Sequence, residues 1–243
     1  SWGRQVINAQ IRRVSPTRIE GYRMITGWAK FRKVYFCAEF SQPITGAEMW
    51  NGDRCNRDIA VVNGTNLRAV LEFGLQDVVE CRLAISPVSI DNARQNLQAE
   101  AEGRPFDELR RAAYDTWNRE LGKVQVEVGE EEKEIFYTAL YHAMIQPNLF
   151  SDVNGQYMAA DYSVRQLPEG VRHYTTFSLW DTFRAAHPLY TILEPERTAD
   201  FANSMMRQYD YYGYLPVWQL WGQDNYCMIG NHAVPVIVDA ILK

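Results

Sequence analysis

The sequence predicts a fold in two parts: a piece of an antiparallel β-sandwich, then a helical linker leading into helices joined in successive pairs. Three observations predict it. Before about residue 86 the chain runs in short stretches rich in β-branched and aromatic residues. Turn signals separate those stretches, as in a sandwich. After residue 86 the apolar residues recur at helical spacing instead.

The strands come first. SWGRQVINAQIRRV, at the start, reads as the middle of a β-rich region. KVYFCAEF, residues 33–40, is a strand by composition. Residues 59–62 and 67–73 flank Asn63-Gly64, two residues that tolerate positive φ, so a hairpin is predicted there. VVECRLAI, residues 78–85, is the last strand.

The helices follow. Ser89-Ile90-Asp91 introduces NARQNLQAE, a polar helix that reads as the start of a linker. Gly103 ends it and Pro105 opens the next element. Residues 107–121 carry Leu109, Ala112, Ala113, Trp117 and Leu121 at helical spacing. VQVEV, residues 124–128, alternates like a short strand. Residues 130–146 form a helix whose acidic first turn suits the positive end of the helix dipole. Pro147 closes it. Residues 148–173 are rich in turns. They include Asp152-Val153-Asn154-Gly155, which begins like a calcium loop but lacks the closing Glu, and it reads as a tight turn.

Three more helices are predicted, over 177–192, over 196–212 and from about 226 onward. Between the last two lies an aromatic loop, residues 213–232. Helices in successive pairs fit a bundle, a solenoid or an α/α barrel. The domains are therefore a partial sandwich over 1–86, a linker over 87–122 and paired helices over 123–243. Both ends sit in mid-element, so the sequence reads as a fragment of something longer.

Composition narrows the function. A hydrophobic fraction of 47% and a charged fraction of 23% are those of a globular chain. The formal net charge is −5 and no basic block appears, which argues against nucleic acid as a partner. No apolar run approaches the roughly 20 residues that span a membrane, and no signal peptide is seen. Cys37, Cys55, Cys81 and Cys227 fit no zinc pattern and read as buried thiols. There is no G-x-S-x-G elbow, no Gly-rich phosphate loop and no H-x-x-x-H zinc helix.

Two stretches carry candidate chemistry. FSLWDTFRAAHPLY places Trp180, Asp181, Arg184 and His187 in an apolar run. On a helix Asp181 and Arg184 share a face, and Trp180 and Arg184 are placed to stack. Spacing leaves two readings open: a packed helix closed by a local ion pair, or one wall of a binding site. In the second, Asp181 accepts hydrogen bonds from two hydroxyls, Arg184 donates to ring or linkage oxygens and Trp180 covers an apolar sugar face. His187 reads as structural. The second stretch is the loop, with Trp218, Trp221, Gln223, Asp224, Asn225 and His232 close together and Gly222 and Gly230 as flexible points. Asp181 and Asp224 are candidates for a pair of catalytic carboxylates, although sequence does not give their separation.

FSLWDTFRAAHPLYTILEPER, residues 177–197, resembles the signature of glycoside hydrolase family 92, the calcium-dependent exo-acting α-mannosidases. ISPVSIDNARQNLQAE, FYTALYHAMIQPNLFSD, LPVWQL, CMIGNHAVPVIVDAILK and GWAKFRKVYFCAEFSQPI look like family segments too, so the likeness covers nearly the whole chain. It implies an N-terminal β-sandwich, a helical linker and the first helical hairpins of an (α/α)6 barrel, with an active site between the domains. It implies Ca2+ bound to the hydroxyls of a terminal mannose, and hydrolysis of α-mannosides (mannan or N-glycans) with inversion.

Carried over by position, Asp181 looks like the aspartate that holds mannose hydroxyls, with Trp180 and Arg184 supporting that pocket. Trp218 and His232 are further substrate-binding candidates. The catalytic acid, the base and most calcium ligands are expected beyond Lys243, so the chain alone is expected to be inactive. The resemblance also implies a periplasmic or secreted location. A non-catalytic carbohydrate-binding module or degenerate relative is the alternative reading, and a purely structural helical scaffold is a third.

Overall fold

The computed structural model describes residue 3 and residues 5–75 and 77–243. Its backbone contacts divide the chain into two compact units. The first takes the chain up to Gly103 and adds Asp152–Tyr157; the second takes Arg104–Ser151 and Met158–Lys243. The stretch read as one helical linker, 87–122, holds two helices that group with different units.

The first unit holds β1 (Gln5–Ser15), β2 (Arg18–Thr26), β3 (Arg32–Phe40), β4 (Gly46–Asn51), β5 (Arg54–Arg57), β6 (Val61–Gly64), β7 (Leu67–Glu72), β8 (Cys81–Ser86) and the helix α1 (Ile90–Glu100). Five strands form one antiparallel sheet in the order β6-β1-β2-β3-β8, and three form another in the order β5-β4-β7. The predicted hairpin at Asn63-Gly64 is therefore not formed: β6 pairs with β1 and β7 with β4. Gly64 answers a different need. A Cβ there would lie 2.3 Å from the Asn51 amide, so glycine lets β4 and β6 approach.

Helix α1 starts where its cap dictates. The Ser89 hydroxyl accepts the backbone N–H of Asn92 at 3.0 Å. Ala93 and Leu97 then bury their side chains against Cys37 and Ala84 of the sheet. Two polar groups pin it. Glu20, fully buried, takes two hydrogen bonds from Arg94 (2.5 and 2.9 Å) and one from Arg12 (3.0 Å). Burial pushes the Glu20 carboxyl up, but the two guanidiniums outweigh it and hold it below the usual carboxylate range. Asp152 is the second pin, accepting from the Ser86 hydroxyl (2.7 Å) and from the amides of Asn92 (2.8 Å) and Asn96 (2.7 Å).

The rest of the chain holds α2 (Phe106–Leu121), α3 (Glu130–Met144), β9 (Asn148–Leu149), β10 (Gln156–Met158), β11 (Val164–Gln166), β12 (Tyr174–Thr175), β13 (Phe177–Ser178), α4 (Leu179–Thr182), α5 (Ala186–Leu193), α6 (Pro195–Tyr212), β14 (Trp218–Leu220), β15 (Gln223–Asp224) and α7 (Ala233–Leu242). Residues 124–128 form no strand. The Val124 carbonyl instead accepts the Tyr137 hydroxyl of α3 at 2.9 Å.

Two predicted helices are shorter than expected, for one reason. The stretch 177–192 is a strand residue pair, one helical turn, a break and then α5. Helix α7 starts at Ala233 rather than near 226. A continuous helix would put Pro188 or Pro235 in its interior, where the ring clashes with the carbonyl four residues back. By restarting at Ala186 and at Ala233, the chain keeps each proline in a first turn, where its missing N–H is not needed. Pro195 opens α6 in the same way, and Gly213 ends it in the left-handed region at φ 83°.

The core of this unit comprises Tyr174, Phe177, Leu179, Tyr190, Phe201, Met205, Ala233, Val236 and Ile237. It ties β13, α4, α5, α6 and α7 together. Tyr190 adds a polar contact: its hydroxyl reaches the carbonyls of Ala143 (2.5 Å) and Gln146 (2.9 Å), which the end of α3 leaves unpaired. All four cysteines are free, and only Cys37 is buried; Cys55 is half-buried and Cys81 and Cys227 are exposed, against the expectation of four buried thiols.

Candidate functional site

Phe177 and Leu179 are both fully buried, and they anchor the segment that carries Trp180 and Asp181. Strand β13 pairs with β14, bringing Phe177 opposite Gln219 and Ser178 opposite Trp218. The side chains of Trp180, Asp181 and Arg184 are exposed. The Asp181 carboxylate accepts the Ser178 hydroxyl. No ion pair joins Asp181 to Arg184 among the described residues. The expected stack of Arg184 on Trp180 is also replaced: the Arg184 guanidinium lies over the Phe183 ring, 4.8 Å from its centre. Phe183 also stacks on His232, centre to centre 4.0 Å and 12° from parallel. Phe183 therefore joins two of the predicted residues, and it was not among them. Helix α4 ends at Thr182 with Phe183 still in helical backbone, and the chain leaves that conformation at Ala185 (φ −133°) before α5 begins.

His187 is 3% exposed and packs against Phe177, Tyr190 and Phe201. Burial lowers its pKa to about 4, so it stays neutral.

The loop between α6 and α7 is built on a two-residue hairpin. Leu220 pairs with Gln223, and the turn residues Trp221 (φ 58°) and Gly222 (φ 81°) both take left-handed backbone. Gly222 is thus a turn residue rather than a flexible point. A Cβ there would also meet the Phe150 ring at 2.9 Å.

Asp224, 1% exposed, holds the loop together. Its carboxylate accepts the backbone N–H groups of Val217 (2.7 Å), Trp218 (3.1 Å) and Tyr226 (2.8 Å). It is committed to the fold, and this removes it as a partner for Asp181 in a catalytic pair. Gln219, fully buried, accepts the Thr175 hydroxyl at 2.9 Å, and Thr175 in turn accepts the Gly222 N–H at 3.1 Å.

Sequence reasoning flagged this loop as aromatic but missed its tyrosines. Tyr214 donates its hydroxyl to that of Tyr226, which donates to Tyr212 at 2.6 Å. The three come from the end of α6 and from both arms of the loop.

Among the described residues no group of three or more His, Cys, Asp or Glu side chains is placed to hold a metal ion. The Asp152 turn is closed by the Gly155 N–H on the Asp152 carbonyl at 2.8 Å, while the carboxylate is taken by Ser86, Asn92 and Asn96. These residues alone do not fit a calcium site. No helix among the described residues is long and apolar enough to cross a membrane.

Comparison with known proteins assigns the family. Residues 92–243 match the glycosyl hydrolase family 92 catalytic domain, and residues 1–86 match the family's N-terminal domain. The chain belongs to glycosyl hydrolase family 92. The solved structure of a family GH92 α-mannosidase from Bacteroides thetaiotaomicron, BT3965 in complex with mannoimidazole, is similar at 37% identity and TM-score 0.93; the match covers 98% of this chain and 33% of that one. The inverting GH92 mannosidase BT2199 of the same organism matches at 29% identity and TM-score 0.89, over 98% of this chain and 33% of that one. No curated protein was found to match. The family 92 chain thus spans about a third of the length of these structures. Its fold is that of the family's N-terminal β-sandwich followed by the start of the helical domain.

Proposed function

We propose that the complete protein releases terminal mannose from α-mannosides with inversion, and that the segment 177–184 supplies part of the pocket for that sugar. One observation carries the reading: 37% identity over 98% of this chain to an α-mannosidase solved with mannoimidazole. The local geometry supports it. Asp181 is exposed and has one hydroxyl on its carboxylate, so it retains lone pairs for sugar hydroxyls. Trp180, 46% exposed, offers a face for the apolar side of a pyranose ring. Arg184, held over Phe183, keeps its guanidinium edges for ring or linkage oxygens. Trp218 and His232 are proposed as secondary pocket residues, one across the strand pair from Ser178 and the other stacked on Phe183.

The acid, the base and a calcium ion are proposed for the complete enzyme, with the acid, the base and most of the calcium ligands beyond Lys243. A periplasmic or secreted location, where such glycans occur, is part of the same reading.

The test is an assay of the complete protein on an α-linked mannobiose, followed by NMR of the product anomer with and without a calcium chelator. Mannose released first as the β-anomer, with activity lost to chelator and restored by calcium, is expected. Activity indifferent to chelator would remove calcium from the proposal. An absence of hydrolysis alongside mannose binding would instead favour a non-catalytic relative.

A further inference from the structure

The tyrosines at the end of α6 and in the following loop form a partly exposed group. The rings of Tyr212 and Tyr214 lie 4.9 Å apart, and Tyr226 lies 6.3 Å from the first and 5.9 Å from the second. The rings are within reach of one another, yet this is not core: Tyr226 is 51% exposed and the other two are half-buried. Their hydroxyls form a directed line, Tyr214 to Tyr226 to Tyr212. The backbone is bent to make it. Tyr226 sits at φ 57°, a left-handed conformation costly for a bulky residue, and the Asp224 carboxylate holds its N–H there.

The chemistry selects the ligand. Aromatic faces edged with neutral hydroxyls suit a molecule that has apolar C–H faces and many hydroxyls. Burial and the neighbouring hydroxyls push the Tyr214 phenol up, so that hydroxyl stays protonated and uncharged at any physiological pH. The same hairpin links the group to Asp181: Ser178, bonded to Asp181, faces Trp218, and Asp224 binds the N–H groups of both Trp218 and Tyr226.

We propose that Tyr212, Tyr214 and Tyr226 form a binding surface for a further neutral sugar ring of the substrate, next to the pocket for the terminal mannose, so that they set the preference for oligosaccharides over mannosides with a small leaving group. This rests on the mannosidase reading. Tyr226 supplies the stacking face and its neighbours fix its hydroxyl.

The complete protein tests it. The ratio of kcat/KM on an α-linked mannobiose to kcat/KM on α-mannosyl fluoride, which lacks a second sugar, is measured for wild type, Tyr226→Ala, Tyr226→Phe and Tyr214→Phe. Tyr226→Ala is expected to lower the ratio about tenfold, the scale of one lost aromatic stacking contact. The Phe variants, which keep the ring and the packing, are expected to lower it about two- to fourfold. A ratio unchanged in all three variants overturns the inference while leaving the mannosidase reading intact. A wild-type protein inactive on both substrates overturns that reading and this one with it.

Discussion

Two neighbouring segments of the helical unit use an aspartate in opposite ways. In the loop over residues 213–232, Asp224 is buried and accepts three backbone N–H groups. In the segment 177–184, one strand away, Asp181 is exposed and accepts one hydroxyl from its own turn. Both belong to stretches rich in aromatic residues, and by sequence they looked like a pair. The difference lies in what the lone pairs do. A carboxylate accepting three backbone donors shapes the chain, and one with open lone pairs at a surface is available to a ligand. Asp224 builds the loop, and Asp181 keeps its carboxylate at the surface.

Removing the committed aspartate should have the larger effect. Asp224→Ala leaves three part-buried N–H groups without their acceptor, which costs about 4 kcal/mol. The expected result is a melting temperature lowered by many degrees, with activity lost through the fold. If the variant melts like wild type, Asp224 is not the clamp described here. Asp181→Ala is the counterpart. It should melt within about 1 kcal/mol of wild type, as an exposed substitution does. Its kcat/KM on an α-mannoside should fall roughly a hundredfold, the equivalent of about 3 kcal/mol for hydrogen bonds to a charged acceptor. A large loss of stability with Asp181→Ala would erase the contrast between the two segments.

Asp152 sharpens the comparison from the other unit. Its sequence setting, Asp152-Val153-Asn154-Gly155, resembles a cation loop, but its carboxylate is taken up by Ser86, Asn92 and Asn96. Its donors are side chains, which relax more readily than backbone. Asp152→Ala should therefore cost less than Asp224→Ala, about 2 kcal/mol, read as a shift in the denaturation midpoint. Calcium should leave the wild-type midpoint unmoved through this turn; a Ca2+-dependent shift abolished by Asp152→Ala would show it to be a metal loop after all.

The same physics explains what was legible in the sequence. Helices α1 to α3 and α6 were readable because local signals agree: the Ser89 cap, the acidic first turn of α3, Pro195 and Gly213 at the ends of α6. In the first unit β1, β3, β7 and β8 were readable by composition, whereas β2, β4 and β5 were not singled out. The segment 177–192 was misread because its apolar density outweighed Pro188, whose place in a first turn or an interior decides the element. Strands β13 to β15 have two or three residues each, too few for a periodicity. Trp180, Asp181 and Arg184 stood out as polar groups in an apolar run. Phe183 and the three tyrosines did not, because only the fold brings Phe183 to His232, or Tyr212 to a residue 14 positions away.

Acid separates the carboxylates once more, by a smaller margin. Glu120, 8% exposed, is bonded to Lys123 at 2.6 Å and to Arg119 at 3.0 Å, and Lys123 also reaches Glu194 at 2.5 Å. The Lys123 bond, opposed by burial and helped by Arg119, holds the Glu120 carboxyl down to about 2. A depressed folded pKa gives stability that is fully present above the unfolded value, near 4.5, and is lost as pH falls toward 2. Wild type should therefore exceed Glu120→Gln by about 1–2 kcal/mol at pH 7, with the gap closing between about pH 4.5 and pH 2. Melting curves of the two proteins at pH 7, 5, 4 and 3 measure this directly. A Glu120→Gln gap that stays constant across that range would mean that packing, rather than the ion pairs, joins the end of α2 to the start of α6.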